Sequence, residues 1–439
     1  MPLAIVLIGI LILIILIGYI KLDTFISFII ASIFIGAAMG LPIDTITNAL
    51  QTGIGNTLGF LAIILGLGAM LGKLVAESGA AQQIAHKLIG AFPRKYVQWA
   101  VVLTGFIVGI PMFYSVGFVI LVPLVFTVAA TTRLPLLYIG LPMLAALSVT
   151  HGYLPPHPAP TALVVDFGAD MGLTLLYGLI VAIPAIIIGG PLFGKTLKKY
   201  NPKPLKSMMA SRSFTEEELP GLGISIFTAL LPVLLLSSSA VIEFLPFESS
   251  ILKTITSVTG NPVIAMVITV LVAIYTLGIK RGLKMTEVTN ICGEAIKGIA
   301  VILLIIAGAG ALKEILVVSE VSVFIGQKLQ AIDASPLLLA WGIAAVIRVC
   351  VGSATVAGLT SAGLVLPLIQ SSGVDPNLMV LATGAGSLMF SHVNDGGFWM
   401  FKEFFNMSVK DTLKTWSVME TIVSVVGLIG VFALNAILH

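Results

Sequence analysis

The sequence predicts an all-α polytopic membrane protein, an inverted-topology repeat with about 10–14 transmembrane segments, some re-entrant or broken. Three observations carry this expectation. Only 10% of the 439 residues are charged, against roughly 25% in ordinary soluble domains. Hydrophobic residues make up 58%, and mean hydropathy is +1.12. The apolar residues also fall in long blocks, and short motifs recur across two halves of the chain. A soluble domain of this size has too few charges to cover its surface. Solid apolar runs, rather than period-two alternation, exclude a β-barrel.

The first block, residues 3–20, has no basic flank and no A-x-A pattern, so it reads as a membrane helix and not as a cleaved signal. Blocks at 25–41, 101–110, 116–130 and 173–193 follow, then 224–236, 263–279, 300–311 and 418–438. Segments 44–55, 80–92, 286–297 and 321–332 are short and mixed, the pattern of interfacial helices or linking arms. Residues 196–222 form the longest hydrophilic stretch. It divides a first transmembrane repeat (1–195) from a second, inverted one (223–439). Lys195, Lys198, Lys199, Lys203, Lys206 and Arg212 crowd this linker, Lys280, Arg281 and Lys284 form a second cluster, and Arg94 with Lys95 a third. The positive-inside rule places all three in the cytoplasm. In the linker, Thr215 followed by Glu216–Glu218 reads as a helix start. The net charge of +3 offers no bulk argument for nucleic acid, and two cysteines, Cys292 and Cys350, make no disulfide framework.

The repeat rests on four matches in order. Thr47-Asn48 recurs as Thr289-Asn290 and Gly66-x-Gly68-Ala69 as Gly308-x-Gly310-Ala311, both offset by 242. Val122-Pro123-Leu124 recurs as Leu366-Pro367-Leu368, offset 244, and Thr150-His151 as Ser391-His392, offset 241. With the basic loops inside, equivalent helices point in opposite directions. Inverted repeats with interrupted helices mark secondary transporters.

Four places break the helical pattern. Around Pro111, residues 109–117 lose a backbone donor, and the matching stretch 351–358 is rich in glycine and small hydroxyls. A helix restarting after such a break aims N–H groups and a positive dipole at an anion. Tyr114, Ser115, Ser353, Thr355, Thr360 and Ser361 are the hydroxyls available there for a polyol or a carboxylate. The same small residues also suit close helix packing. Residues 150–161 hold four prolines between 155 and 160, which reads as an ordered extended turn; 391–399 is its counterpart. Three of the five histidines, His151, His157 and His392, fall in these two segments. A histidine can carry a proton near neutral pH, or simply cap a helix. Asp395 and Asp170 are carboxylates beside the same elements. Arg348 lies inside an apolar helix, where an arginine is a functional-site candidate by default, with an internal salt bridge to Asp395 or Asp166 as the plainer reading. Lys313 and Glu314, at an apolar segment end, read as snorkelling to the interface. No Walker A sequence, no zinc spacing and no nucleophile–base signature occurs, so neither enzyme nor cofactor nor metal is expected. An ion gradient is the remaining energy source for a pump, and a facilitator needs none.

The runs THGYLPPHPAPTAL (150–163), GSATVAG (352–358), SHVNDGGFW (391–399) and FKEFFNMS (401–408) resemble the gluconate permease family of bacterial inner-membrane symporters. The likeness extends along nearly the whole chain, through LGLGAMLGKL (65–74) and VQWAVVLTGF (97–106) to KTWSVMETIVSVVGL (414–428). The resemblance implies proton-coupled uptake of D-gluconate or a related sugar acid, with idonate, fructuronate or D-serine taken by relatives. It also implies a homodimer in the bilayer, with a scaffold and a moving domain bearing two hairpins. The family pattern is met at His151, His157, Asp170, Arg348, Ser353, Thr355, His392, Asn394, Asp395, Phe398 and Trp399. Ser115 stands where several relatives have glutamate, Gly396 where proline is expected, and Asp166 is particular to this chain. Those departures leave the coupling ion and the exact substrate open. The expectation is therefore a carboxylate held by Arg348 and helix starts. Ser353, Thr355, Thr360, Ser361, Tyr114, Ser115, Asn394 and His151 would bind the rest of the substrate. His151, His392, Asp395 or Asp170 would carry the proton. The alternatives are a D-serine or hydroxy-acid transporter and an uncoupled facilitator.

Overall fold

The computed structural model describes residues 2–200, 202, 214–244, 250–321 and 334–438. Lys203, Lys206, Arg212 and most of segment 321–332 lie outside the described residues. Among the described residues the chain forms helices and turns and no strand. Nine helices of ten or more residues carry the first half: α1 (Pro2–Ile14), α2 (Thr24–Ala38), α3 (Ile43–Glu77), α4 (Ala80–Ala91), α5 (Val97–Gly109), α6 (Tyr114–Thr132), α7 (Leu136–Tyr153), α8 (Pro158–Phe167) and α9 (Met171–Ile187). The second half holds α10 (Leu222–Phe244), α11 (Ser250–Thr259), α12 (Pro262–Ala273), α13 (Met285–Val318), α14 (Pro336–Val351), α15 (Ala354–Ser372), α16 (Pro376–Gly386), α17 (Gly396–Phe404) and α18 (Val418–Leu438). Seven of the described helical stretches are long and apolar enough to cross a membrane, and five shorter apolar helices accompany them. Exposed Leu11, Ile183, Leu271, Val301 and Ile429 give the outer surface an apolar character that suits lipid and not water.

The two halves run in parallel order. α3 and α13 have 35 and 34 residues, and α6 and α15 have 19 each. Each long apolar run becomes a helix because a backbone in lipid must satisfy its own hydrogen bonds. Starts are marked by side-chain caps. Asp23 accepts from the Ile26 amide at 3.1 Å, Asp170 from Leu173 at 2.7 Å and Asp375 from Asn377 at 2.7 Å. Such caps contribute about 1 kcal/mol each.

Several local expectations change. The mixed segments 44–55 and 286–297 are not separate arms; they are the first turns of α3 and α13, with no proline to interrupt them. Segment 80–92 is a helix of its own, α4. The prolines of 155–160 are divided: Pro158 and Pro160 open α8, where a missing N–H costs nothing because the first donors of a helix have no intrahelical partner. Behind Thr215 the chain makes only a three-residue turn, Glu216–Glu218, with a capping box, and Pro220 follows at once.

The core divides into two clusters. A smaller one joins Val6, Leu13, Phe28, Ile35 and Leu61 of α1–α3 to Ile299, Ile306 and Ile315 of α13. A larger one gathers α5–α9 with α15–α18. Residues of the α14–α15 hairpin enter both clusters, Leu337 and Val365 in the larger and Ile347 and Val356 in the smaller. The long helices α3 and α13 cross at Gly53 and Gly310; a Cβ on Gly310 would stand 2.6 Å from the Gly53 carbonyl oxygen. Two backbones approach this closely only through glycine. Near this crossing Lys313 of α13 forms an ion pair with Asp166 of α8, so Lys313 is held inside the fold and does not snorkel outward.

Candidate functional site: a cavity between two clasped helix breaks

Both hairpins are broken at their tips, and each break is clasped by a histidine. In the first half α5 ends at Gly109 and α6 restarts at Tyr114. The Nε2 of His157 lies 2.9 Å from the Gly109 carbonyl; a carbonyl only accepts, so Nε2–H donates. In the second half α14 ends at Val351 and Gly352 turns the chain at φ 84°. His392 Nε2–H donates to the Val349 carbonyl at 2.8 Å, while the Asn394 amide donates to Val349 at 2.9 Å and to Cys350 at 3.3 Å. The last carbonyls of a helix lack intrahelical partners, and these side chains supply them. A Cβ on Gly352 would stand 2.6 Å from the Asn394 carbonyl carbon, so only glycine fits between the break and the clasp.

Between the two breaks lies a cavity of about 130 Å³. α6 brings Tyr114 to it, α7 brings Ser148 and His151, and α14 brings Arg348. The start of α15 contributes Ser353 and Thr355, the turn before α17 contributes Asp395, and the C-terminal stretch contributes Trp416 and Glu420. Arg348 is 3% exposed. Its Nη2 pairs with Asp395 Oδ2 at 2.5 Å, while Nε and Nη1 are buried with no partner. Asp395 is fixed from every side. Its Oδ1 accepts from the Gly397 amide at 3.0 Å, capping α17, and its Oδ2 also accepts from Ser391 Oγ. Ser391 Oγ in turn accepts from Trp416 Nε1 at 2.7 Å. Ser353 caps α15 by accepting from the Val356 amide at 3.4 Å. The hydroxyl of Tyr114 and Nδ1 of His151 are buried without partners as well. Glu420, 2% exposed, accepts from Ser148 Oγ at 2.6 Å.

A buried donor or acceptor left unpaired costs about 1–3 kcal/mol, more when charged. Three such groups converging on one cavity describe a place made for a polar, anionic ligand. The unpaired Nε–H and Nη1–H of the guanidinium suit the oxygens of an anion such as a carboxylate, and the first turn of α15 adds N–H groups of the same sign.

The comparisons with known proteins agree with this geometry. The family model of the GntP family permease matches residues 1–437. The chain belongs to the GntP permease family. It is 48% identical over 438 residues to the high-affinity gluconate transporter of Escherichia coli (strain K12), covering all of both chains. It is 49% identical over 440 residues to the Gnt-II system L-idonate transporter of the same organism, again over both full lengths. With the gluconate permease of Bacillus subtilis it shares 47% over 438 residues, 98% of each chain. Among solved structures the Alcanivorax borkumensis YdaH transporter matches with a TM-score of 0.65 at 17% identity, over 94% of this chain and 97% of that one. The Neisseria gonorrhoeae MtrF pump also matches at 0.65, with 16% identity and 93% of each chain. At such identities those two show the fold alone. The protein is thus a multi-pass membrane permease and not an enzyme, and its bacterial relatives place it in the inner membrane.

Within this GntP permease, six of the residues singled out from sequence meet at the cavity: Tyr114, His151, Arg348, Ser353, Thr355 and Asp395. The others are elsewhere. His392 and Asn394 hold the second break. Asp170 is exposed and caps α9. Thr360 and Ser361 are buried one to two turns into α15, Ser361 bonding its own helix at Gly358. Ser115 is exposed and lines a separate cavity of about 160 Å³ with Lys73, Phe113 and Glu294. The cavity also holds three residues with polar groups that the sequence reading passed over: Ser148, Trp416 and Glu420. Glu420 had a readable signal, since an acid inside the apolar run 418–438 falls under the rule that singled out Arg348. Ser148 and Trp416 had none.

Proposed function

We propose that this GntP permease imports gluconate or a closely related sugar acid together with a proton. The observation that carries the reading is Arg348, buried at the cavity with Nε and Nη1 unpartnered while Asp395 holds Nη2. A substrate carboxylate accepts from these unpaired N–H groups, and Ser353, Thr355 and Tyr114 offer hydroxyls to the polyol chain. The relatives named for gluconate and for L-idonate are equally similar to this chain, so the support is for a sugar acid and not for one stereoisomer. Alternating access follows from an inverted repeat, in which the two hairpins move against the α1–α3 and α13 cluster. The matching order of helices in the two halves supports this arrangement, and the family resemblance supports a homodimer.

The test is uptake of labelled D-gluconate into proteoliposomes under an inward proton gradient. Accumulation above equilibrium that a protonophore abolishes is expected. Uptake that only equilibrates would leave an uncoupled facilitator. A second reading has one observation behind it. Glu420, with no cation in ion-pair distance among the described residues, offers a partner to the ammonium of a hydroxy-amino acid such as D-serine. Strong competition by D-serine and none by gluconate would favour it.

A further inference from the structure

We infer that Glu420 is the group that binds the transported proton, with Ser148 as its hydrogen-bond partner. This rests on the sugar-acid reading and goes beyond it by naming the atom that takes the proton. Two carboxylates line the cavity, and their surroundings differ. Asp395 is held by the Arg348 guanidinium, the Gly397 amide and Ser391. Glu420 is held by a single hydroxyl at 2.6 Å. A serine hydroxyl donates to a carboxylate and, after rotating, accepts from a carboxylic acid, so the contact survives protonation. Of the contacts that fix Asp395, the guanidinium and the amide N–H cannot accept, so a proton on Asp395 would find an acceptor only in Ser391, which already accepts from Trp416.

Charge counting adds a second argument. The titratable and charged groups around Glu420 are Tyr114 of α6, His151 and Tyr153 of α7, Arg348 of α14 and Asp395. Tyr153 is committed to the Val423 carbonyl. Counted with Glu420 ionised and His151 uncharged, the empty cavity holds one cation and two anions. A sugar-acid carboxylate adds a third anion where charge is poorly solvated. One proton from water, joined to a Glu420 oxygen to give the carboxylic acid, returns the loaded cavity to the charge of the empty one. The proton leaves with the substrate on the other side. Loaded and empty forms then face the same electrostatic cost when the hairpins move.

The experiment is calorimetry of gluconate binding to the purified full chain, in buffers of different ionisation enthalpy, which counts protons taken up per ligand. By linkage, wild type is expected to take up about one proton per gluconate, Glu420→Asp likewise, and Glu420→Gln none. Proton uptake retained in Glu420→Gln overturns the assignment. If that variant does not fold, His151→Gln and Glu420→Asp decide. Uptake lost in the former with binding retained moves the proton to His151, and uptake lost in the latter with binding retained also overturns it. Gluconate binding to wild type without proton uptake defeats the inference and leaves the substrate reading standing. Absence of gluconate binding defeats the substrate reading instead. D-serine binding without proton uptake then assigns Glu420 to an ammonium group and overturns the proton role.

Discussion

His157 and His392 do the same work in the two halves of the molecule. Each donates from Nε2 to a carbonyl at the end of a broken helix, Gly109 for α5 and Val349 for α14. What stands beside them differs. Next to the first break the cavity receives only neutral or titratable groups, Tyr114, Ser148 and His151. Next to the second it receives Arg348, Asp395 and Ser353. The lesson is that a similar backbone break occurs in each half, while the buried ion pair stands beside one of them only. The sequence offset pairs His392 with His151, yet the structural counterpart of His392 is His157. His151 is the histidine with no such duty, and it lines the cavity.

The largest effect that tests this contrast is expected on the second side. Asp395→Asn removes the anchor of a buried guanidinium, and losing one partner of a buried pair costs about 3–5 kcal/mol. A marked drop in thermal stability in detergent and loss of uptake should both follow. Stability like wild type would show that Asp395 anchors nothing. Arg348→Lys comes next. An ammonium can still meet Asp395 but cannot offer the guanidinium's fixed set of N–H donors, so sugar-acid affinity should fall about 100-fold, roughly 2.7 kcal/mol. Uptake by the inserted variant at wild-type affinity would break the site assignment. The histidines sharpen the comparison. His151→Gln should weaken substrate affinity by about tenfold, the worth of one good contact, with stability kept. His392→Ala should instead cost about 1 kcal/mol of stability and leave affinity within a few-fold. The reverse pattern would restore His392 to the site. The smallest effect concerns neighbours on α6: Tyr114→Phe should reduce affinity a few-fold, one neutral hydrogen bond at about 1 kcal/mol, whereas Ser115→Ala should leave it unchanged. Equal losses in a concentration series of uptake would put the second cavity into play.

Much of this was legible in the residues themselves. Solid apolar runs and sparse charge mark a membrane protein, and Pro111, Gly352 and the 155–160 prolines locate the irregular backbone. Arg348 stands out because a charge in an apolar helix needs a reason. What stayed hidden has physical causes. A hydroxyl gives no sign of which side of a helix it will occupy once tertiary packing is set. Thr360 and Ser361 therefore read like Ser353 and Thr355 but lie deeper in α15, and Ser148 reads like any helix serine. Asp170 and Asp395 both read as carboxylates near a break, and both cap helices. Only Asp395 meets a buried cation, a contact made across 47 residues of chain.

The most direct test is a structure determined with gluconate bound. The account predicts the ligand in the cavity between the two breaks, its carboxylate accepting from an unpaired N–H of Arg348 and its hydroxyls toward Ser353, Thr355 and Tyr114. Ligand density in the other cavity, beside Ser115 and Lys73, with these N–H groups of Arg348 still unpaired, would contradict it.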